Sequence, residues 1–259
     1  MSHRPRKRFG QNFLHDPAII GRIVQAINPR PGERLVEIGP GQGAITLPLL
    51  QAAGHLHVIE LDRDLIGPLA EKCRDSGELT IHNADALTFD YNTLSDSGPL
   101  RVVGNLPYNI STPLLFHLLD QHRCIHDMHF MLQKEVVERM AAQPGTAARG
   151  RLGVMLQYRC RVTPLFSIGP GAFYPPPKVE SAFVRLDPYE TPPVSVDDET
   201  VFSDVVRQAF AQRRKMLRNT LRALLDVDDI SAVGIDPGVR AENLSLAEFA
   251  ALANRVANN

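Results

Sequence analysis

The sequence predicts an α/β fold: a mostly parallel sheet with helices on both faces, followed by a small all-helical C-terminal domain. Three observations carry this. Short apolar runs alternate with helical patterns from residue 17 to residue 142, the rhythm of strand–helix–strand units with right-handed crossovers. Three glycines, Gly39, Gly41 and Gly43, fall between one apolar run and the next helix. A stretch rich in proline and acid, residues 187–200, precedes a tail with helical patterning only.

The elements follow in order. Residues 1–16 are basic and mostly polar. Ile19, Ile20, Ile23, Val24 and Ile27 then recur at helical spacing, with Asp16 placed as N-cap and Pro17 at the first helical position. Pro29 through Gly32 end that helix. RLVEIG (34–39) reads as a buried strand, AITLPLLQAA (44–53) as a helix and HLHVIEL (55–61) as a second strand. A helix spans Asp62 to Arg74, and LTIHNAD (79–85) is a third strand. LRVVGNLP (100–107) and DMHFMLQ (127–133) are the fourth and fifth strands, each followed by a helix, STPLLFHLLDQ and KEVVERMAA.

Past residue 150, RLGVMLQYRC fits a helix or a strand. RVTPLFSI and VESAFVRL fit two strands able to finish the sheet as an antiparallel hairpin. Beyond the linker, residues 201–225 read as one long amphipathic helix with Gln212 the candidate break, and DISAVGI and SLAEFAALANRV add short helices. The expected division is a catalytic domain over 1–195 and a helical domain over 196–259.

With 259 residues, either part can bury a core. Hydrophobic residues make up 44% and charged residues 22%, and the net charge is -1, so overall charge announces no polyanionic partner. Cys73, Cys124 and Cys160 are far apart, in no metal-ligand spacing, which argues against structural zinc and a disulfide framework and for reduced thiols in a cytoplasm. No signal-type apolar stretch follows the basic start, and no run approaches a membrane span. A soluble cytoplasmic protein is expected, and a monomer, since no interface signature stands out.

Function is written at the strand ends. In EIGPGQG the glycines let the backbone turn sharply and approach a ligand at the carboxyl edge of the sheet. A dinucleotide loop wants GxGxxG, and here the third glycine comes one residue early. Glu37 before the loop sits badly beside a pyrophosphate but suits a cationic or hydroxyl-rich ligand. A glycine loop alone leaves other nucleotide folds open. Glu60 at the end of the second strand can accept both hydroxyls of a ribose, and Asp85 at the end of the third can accept an adenine amine. Strand-end acids can also be merely solvated, or cap the next helix.

The fourth strand end, Asn105-Leu106-Pro107-Tyr108, sets an amide, a proline and an aromatic beside that ligand. An exocyclic adenine amine is a poor nucleophile because its lone pair is delocalised into the ring. Two acceptors on its hydrogens, the Asn105 side-chain oxygen and the Pro107 carbonyl, favour the pyramidal amine that attacks a methyl group. Tyr108 can stack on the flipped base, worth about 1–3 kcal/mol. Phe173, held by a triple proline in AFYPPPKVES, is the candidate for the base's other face. The plain alternatives are an Asn-Leu-Pro-Tyr turn and a packed loop aromatic.

These residues together resemble the KsgA-type ribosomal RNA adenine dimethyltransferases. The likeness runs through KRFGQNFL, EIGPGQGAIT, VIELDRDL, HNADAL, VVGNLPYNIST, GRLGVMLQ, FYPPPKVESAFVRL and FAQRRKMLRNTL, nearly the whole chain. NLPY marks adenine-N6 chemistry in general; FGQNFL, PPPKVES and RRKMLRN are more specific. The resemblance implies a Rossmann-like seven-stranded class I methyltransferase sheet with a helical C-terminal domain. It implies S-adenosyl-L-methionine as cofactor, with contacts at Asn12, Leu14, Gly39, Glu60, Asp85 and Asn105. It also implies two adjacent adenines near the 3′ end of 16S rRNA, in an assembling small subunit, as substrate, with a role in subunit biogenesis. Departures from the pattern are Ala147-Ala148-Arg149, without the usual lysine and tyrosine, Glu180 for the usual Asp, and Phe183 for a smaller residue.

Two basic groups would serve RNA: Arg4, Arg6, Lys7 and Arg8, and then Arg207, Arg213, Arg214, Lys215, Arg218 and Arg222. Helical spacing would put Arg207, Arg214 and Arg218 near one face, where they could neutralise phosphates; a solvated helix surface is the plain alternative. Three other functions compete: an Erm-type enzyme acting on large-subunit rRNA, an assembly factor with secondary or lost methylation, and a DNA adenine methyltransferase. The last lacks any segment like a DNA target-recognition domain.

Overall fold

The computed structural model describes residues 12–96 and 98–259. The basic cluster Arg4, Arg6, Lys7 and Arg8 lies outside the described residues. The chain divides into two compact units. One runs through Val137 and adds Thr163–Pro188; the other joins Glu138–Val162 to Tyr189–Asn259.

The first unit opens with β1 (Phe13–Leu14) and α1 (Pro17–Ile27). Asp16 Oδ1 accepts from the backbone N–H of Ala18 (2.9 Å) and Ile19 (3.2 Å), and Pro17 supplies the helical φ at a position whose N–H would go unused. Then come β2 (Leu35–Ile38), α2 (Thr46–Ala53), β3 (His55–Ile59), α3 (Arg63–Cys73), β4 (Glu78–His82), β5 (Leu100–Asn105), α4 (Ser111–Asp120) and β6 (Ile125–Gln133). After these, α5 (Lys134–Ala141), α6 (Arg151–Arg159), β7 (Cys160–Ile168), β8 (Phe173–Tyr174) and β9 (Ser181–Pro188) follow.

The main sheet has the order β4-β3-β2-β5-β6-β9-β7. β2 pairs in parallel with both β3 and β5, β5 with β6, and β9 runs antiparallel to β6. All four residues of the interior strand β2 are buried, as expected for a strand covered on both faces. Because the order reverses at β2, the carboxyl ends of β2 and β5 diverge into a crevice, where ligands of such sheets bind. A second, two-stranded sheet pairs β1 with β8, Phe13 opposite Tyr174 and Leu14 opposite Phe173. RLGVMLQYR resolves as helix.

Near the amino-terminal ends of β5 and β6 a charged network is largely buried. Asp127, 1% exposed, binds Arg101 through two 2.9 Å contacts. The same guanidinium reaches Glu33 and the carbonyl of Ile27 (both 2.6 Å), so it satisfies the open C-terminus of α1.

In the second unit, α6 packs with α7 (Glu199–Ala209), α8 (Leu217–Thr220), α9 (Val227–Ala232) and α10 (Leu246–Ala257). Phe202, Val206, Leu217, Leu221 and Phe249 fill its core. The pattern over 201–225 is broken around Gln212, the candidate break, and the break is wide: α7 stops at Ala209 and turns carry the chain to Leu217. Residues 212–215, Gln-Arg-Arg-Lys, offer no apolar side chain to pack and set three cations in succession, which disfavours another helical turn. The shared face of Arg207, Arg214 and Arg218 is therefore not formed, although all three are exposed. The unit boundaries also differ from a single division at 195/196, because α6 groups with the C-terminal helices.

Candidate functional site

A cavity of about 330 Å³ opens where β2, β3, β4 and β5 end, within the usual size for a small-molecule or cofactor site. Its glycine loop turns through Gly39, Gly41 and Gly43, with φ of 66°, 56° and 73°, values that side-chain-bearing residues rarely adopt. Lys72 on α3 donates to the carbonyls of Gln42 (2.8 Å) and Gly43 (3.2 Å) and braces the loop from behind. Sequence reasoning missed Lys72, since no local pattern marks a contact across 30 residues.

Three carboxyl groups line the cavity. Glu60, 7% exposed, accepts from Asp62 N–H (2.8 Å) with one oxygen and from Gly41 N–H (3.3 Å) with the other. It thus ties the second strand end to the loop, and the carboxylate keeps acceptor capacity beyond its backbone donors. Burial pushes its pKa up, against the pull of those backbone donors. Asp85 accepts from Leu87 N–H at 2.9 Å and turns the chain back at the cavity rim. Glu37, 1% exposed on β2, differs from both: its Oε2 is buried with no hydrogen-bond partner. Desolvation, reinforced by the neighbouring Glu60, raises its pKa to about 8. A buried carboxyl oxygen left without a partner is what a donor-bearing ligand would satisfy.

On the other wall, Asn105 ends β5 and its amide N–H donates to the Asn12 carbonyl (3.0 Å). That carbonyl can only accept, so the contact fixes which end of the Asn105 amide is oxygen. The chain reaches this point because Gly104 has no side chain: a Cβ there would lie 2.6 Å from the Ile38 carbonyl of β2. Pro107 O accepts from Ile110 N–H (3.1 Å), which closes the turn and leaves one lone pair. The Tyr108 hydroxyl meets Ser181 Oγ at 2.6 Å, and the Tyr108 carbonyl accepts from Ser111 Oγ at 3.2 Å.

The structure gathers Asn12, Leu14, Gly39, Glu60, Asp85, Asn105, Pro107 and Tyr108 around this single cavity. The β1–β8 pairing delivers Asn12 and Leu14, and with them Phe13, which sequence reasoning passed over. Phe13 packs its ring against Gly41, where a Cβ would meet it at 3.1 Å. Phe173 is not among the lining residues. Paired opposite Leu14 and 2% exposed, it belongs to the main core, while its neighbour Tyr174 is 67% exposed. Among the described residues no cluster of His, Cys, Asp and Glu could hold a metal ion, and no helix is long and apolar enough to cross a membrane.

A seven-stranded sheet of this order, with a glycine loop, strand-end acids and an Asn-Leu-Pro-Tyr turn around one cavity, defines a class I methyltransferase. The family model for ribosomal RNA adenine dimethylase matches residues 2–258. The chain belongs to that family. It is 59% identical over 256 residues to ribosomal RNA small subunit methyltransferase A of Pseudomonas aeruginosa, covering 98% of this chain and 96% of that one. The protein of the same name from Marinobacter nauticus is 56% identical, with 99% and 93% covered. Among solved structures, a dimethyladenosine transferase from Plasmodium falciparum superposes with a TM-score of 0.79 at 26% identity, with 93% of this chain and 95% of that chain covered. The 23S rRNA methyltransferase ErmE superposes at 0.75 and 25%, with 95% and 100% covered.

Proposed function

We propose that the chain transfers methyl groups from S-adenosyl-L-methionine to N6 of two adjacent adenines near the 3′ end of 16S rRNA in the small ribosomal subunit, giving N6,N6-dimethyladenosine. The observation that carries this reading is the shared cavity: the cofactor-type acids Glu60 and Asp85 and the amine-type acceptors Asn105 and Pro107 line the same space. The family membership and the small-subunit relatives support it.

The residues present fit the cofactor. Glu60 has lone pairs for ribose hydroxyls, Asp85 for an adenine amine, and the orphaned Glu37 oxygen for a donor on a cationic ligand. When bound, the cofactor supplies an electrophilic sulfonium methyl.

The chain's own residues do the rest. Asn105 Oδ1 and Pro107 O accept the two N6 hydrogens of the target adenine and hold its lone pair out of the ring. Tyr108 stacks on the base. Catalysis is mainly positioning, and no strong general base is needed, since the proton leaves the product cation readily. The described cations Arg207, Arg214, Lys215, Arg218 and Arg222, exposed on the second unit, supply phosphate contacts. The protein works as a cytoplasmic monomer with a part in subunit biogenesis.

The test is to incubate the protein with labelled S-adenosylmethionine and, separately, small and large subunits from cells lacking the endogenous enzymes. Label confined to small-subunit rRNA is the expected result. Label on large-subunit rRNA moves the reading to the ErmE-like alternative, and label on neither, despite tight subunit binding, moves it to an assembly factor.

A further inference from the structure

Tyr108 is held at both ends by buried serines. Ser111, 2% exposed at the start of α4, donates to its backbone carbonyl. Ser181, fully buried at the first position of β9, lies 2.6 Å from its hydroxyl, although 73 residues away in sequence. Ser181 is itself fixed. Its strand pairs with β6 at Gln133, the preceding carbonyl of Glu180 accepts from Lys134 N–H (2.9 Å), and the Glu180 carboxylate pairs with Lys134 Nζ (2.7 Å). A tyrosine free at its hydroxyl end could swing about its side-chain torsions, whereas one pinned at both ends presents a single plane to the cavity it lines.

We infer that Ser181 is a positioning residue for methyl transfer, fixing the ring plane of Tyr108 through the hydroxyl–hydroxyl hydrogen bond so that the target base stacks in register with Asn105. The inference rests on the stacking role proposed above for Tyr108. Ser181 is buried and does not line the cavity, so its loss acts on the orientation of the base and not on cofactor binding.

The test is steady-state methylation of small subunits by Ser181→Ala, Tyr108→Phe and the double variant, with S-adenosylmethionine affinity measured by calorimetry. Misplacement on the ångström scale lowers kcat by about tenfold or more. Ser181→Ala is expected to show such a fall, with KM for subunits and cofactor affinity within about twofold of the wild type. Tyr108→Phe, which keeps the ring and loses the bond, should fall equally, and the double variant no further. Ser181→Thr, which keeps the hydroxyl, should recover most of the turnover. Wild-type kcat in Tyr108→Phe, or multiplicative losses in the double variant, overturns the inference. Tyr108→Phe decides the matter even should Ser181→Ala fail to fold. A wild-type protein that transfers no methyl group would instead overturn the methylation reading, and this role with it.

Discussion

Residue positions were legible where a side chain closes a strand at the cavity. Glu60, Asp85 and Asn105 each close an apolar run, and the pattern that locates the strand also locates the residue. Residues that reach the site through tertiary contact left no such trace. Lys72 and Ser181 act across 30 and 73 residues, and the sequence shows only an ordinary helix lysine and a serine near the start of a strand. Phe173 shows the converse. Its proline-stiffened setting suggested an exposed platform, but pairing opposite Leu14 turns it into the core.

Glu37 carries a prediction at this scale. Its pKa is about 8 in the fold against 4.5 for the ordinary group. Between those values the folded state holds a proton that the unfolded chain has released, so stability of the cofactor-free protein falls as pH rises from about 4.5 to about 8. Glu37→Gln, which keeps the neutral form, should raise the melting temperature at pH 8 relative to the wild type and leave it nearly unchanged at pH 4.5. Thermal unfolding at the two pH values checks this; an equal shift at both would show that Glu37 is not protonated in the fold.

At the scale of elements, the alternation of strands and helices was legible through α5, because apolar periodicity and caps such as Asp16 act locally. The break of the long C-terminal pattern was legible near Gln212, but its extent, from Ala209 to Leu217, was not: an amphipathic stripe shows what a helix could bury, not how far the intervening cations keep it from continuing. Gly104 is the element-scale residue with the sharpest consequence. Adding one methyl group would push β5 away from the Ile38 carbonyl, at the point where the glycine loop and Asn105 leave the sheet. Gly104→Ala should destabilise the protein by about 1–3 kcal/mol and reduce cofactor affinity, read by urea unfolding and cofactor titration. Unchanged values in both would mean that the strands adjust freely there.

Over the whole molecule, the presence of a sheet unit and a helical unit was legible, and the boundary was not. Helix α6 precedes the last two sheet strands in sequence yet packs with the C-terminal helices. Arg149, in the segment that departs from the family pattern, is 2% exposed there and donates to the carbonyls of Ala142 (2.8 Å) and Leu244 (3.0 Å). Those hydrogen bonds depend on side-chain reach across 95 residues, which no linker composition reveals. Net charge also hid a local concentration of exposed cations around residues 213–222. Replacing Arg214 and Arg218 together by alanine should weaken subunit binding and flatten its salt dependence, the slope falling by about one for each phosphate no longer neutralised. An unchanged slope would remove these residues from the RNA surface.

The role proposed for Asn105 is that its side-chain oxygen acts on the target amine, beyond the bond by which its N–H holds the Asn12 carbonyl at the cavity. It is tested most directly by nucleoside analysis of small-subunit rRNA treated with wild-type and Asn105→Ala protein at saturating S-adenosylmethionine, alongside cofactor titration of both. The wild type is expected to give N6,N6-dimethyladenosine and the variant a rate lower by about 10²-fold or more, the scale for losing one preorganised transition-state hydrogen bond. Cofactor affinity should change only a few-fold. Near wild-type turnover by Asn105→Ala, or a rate loss explained wholly by lost cofactor binding, would contradict it.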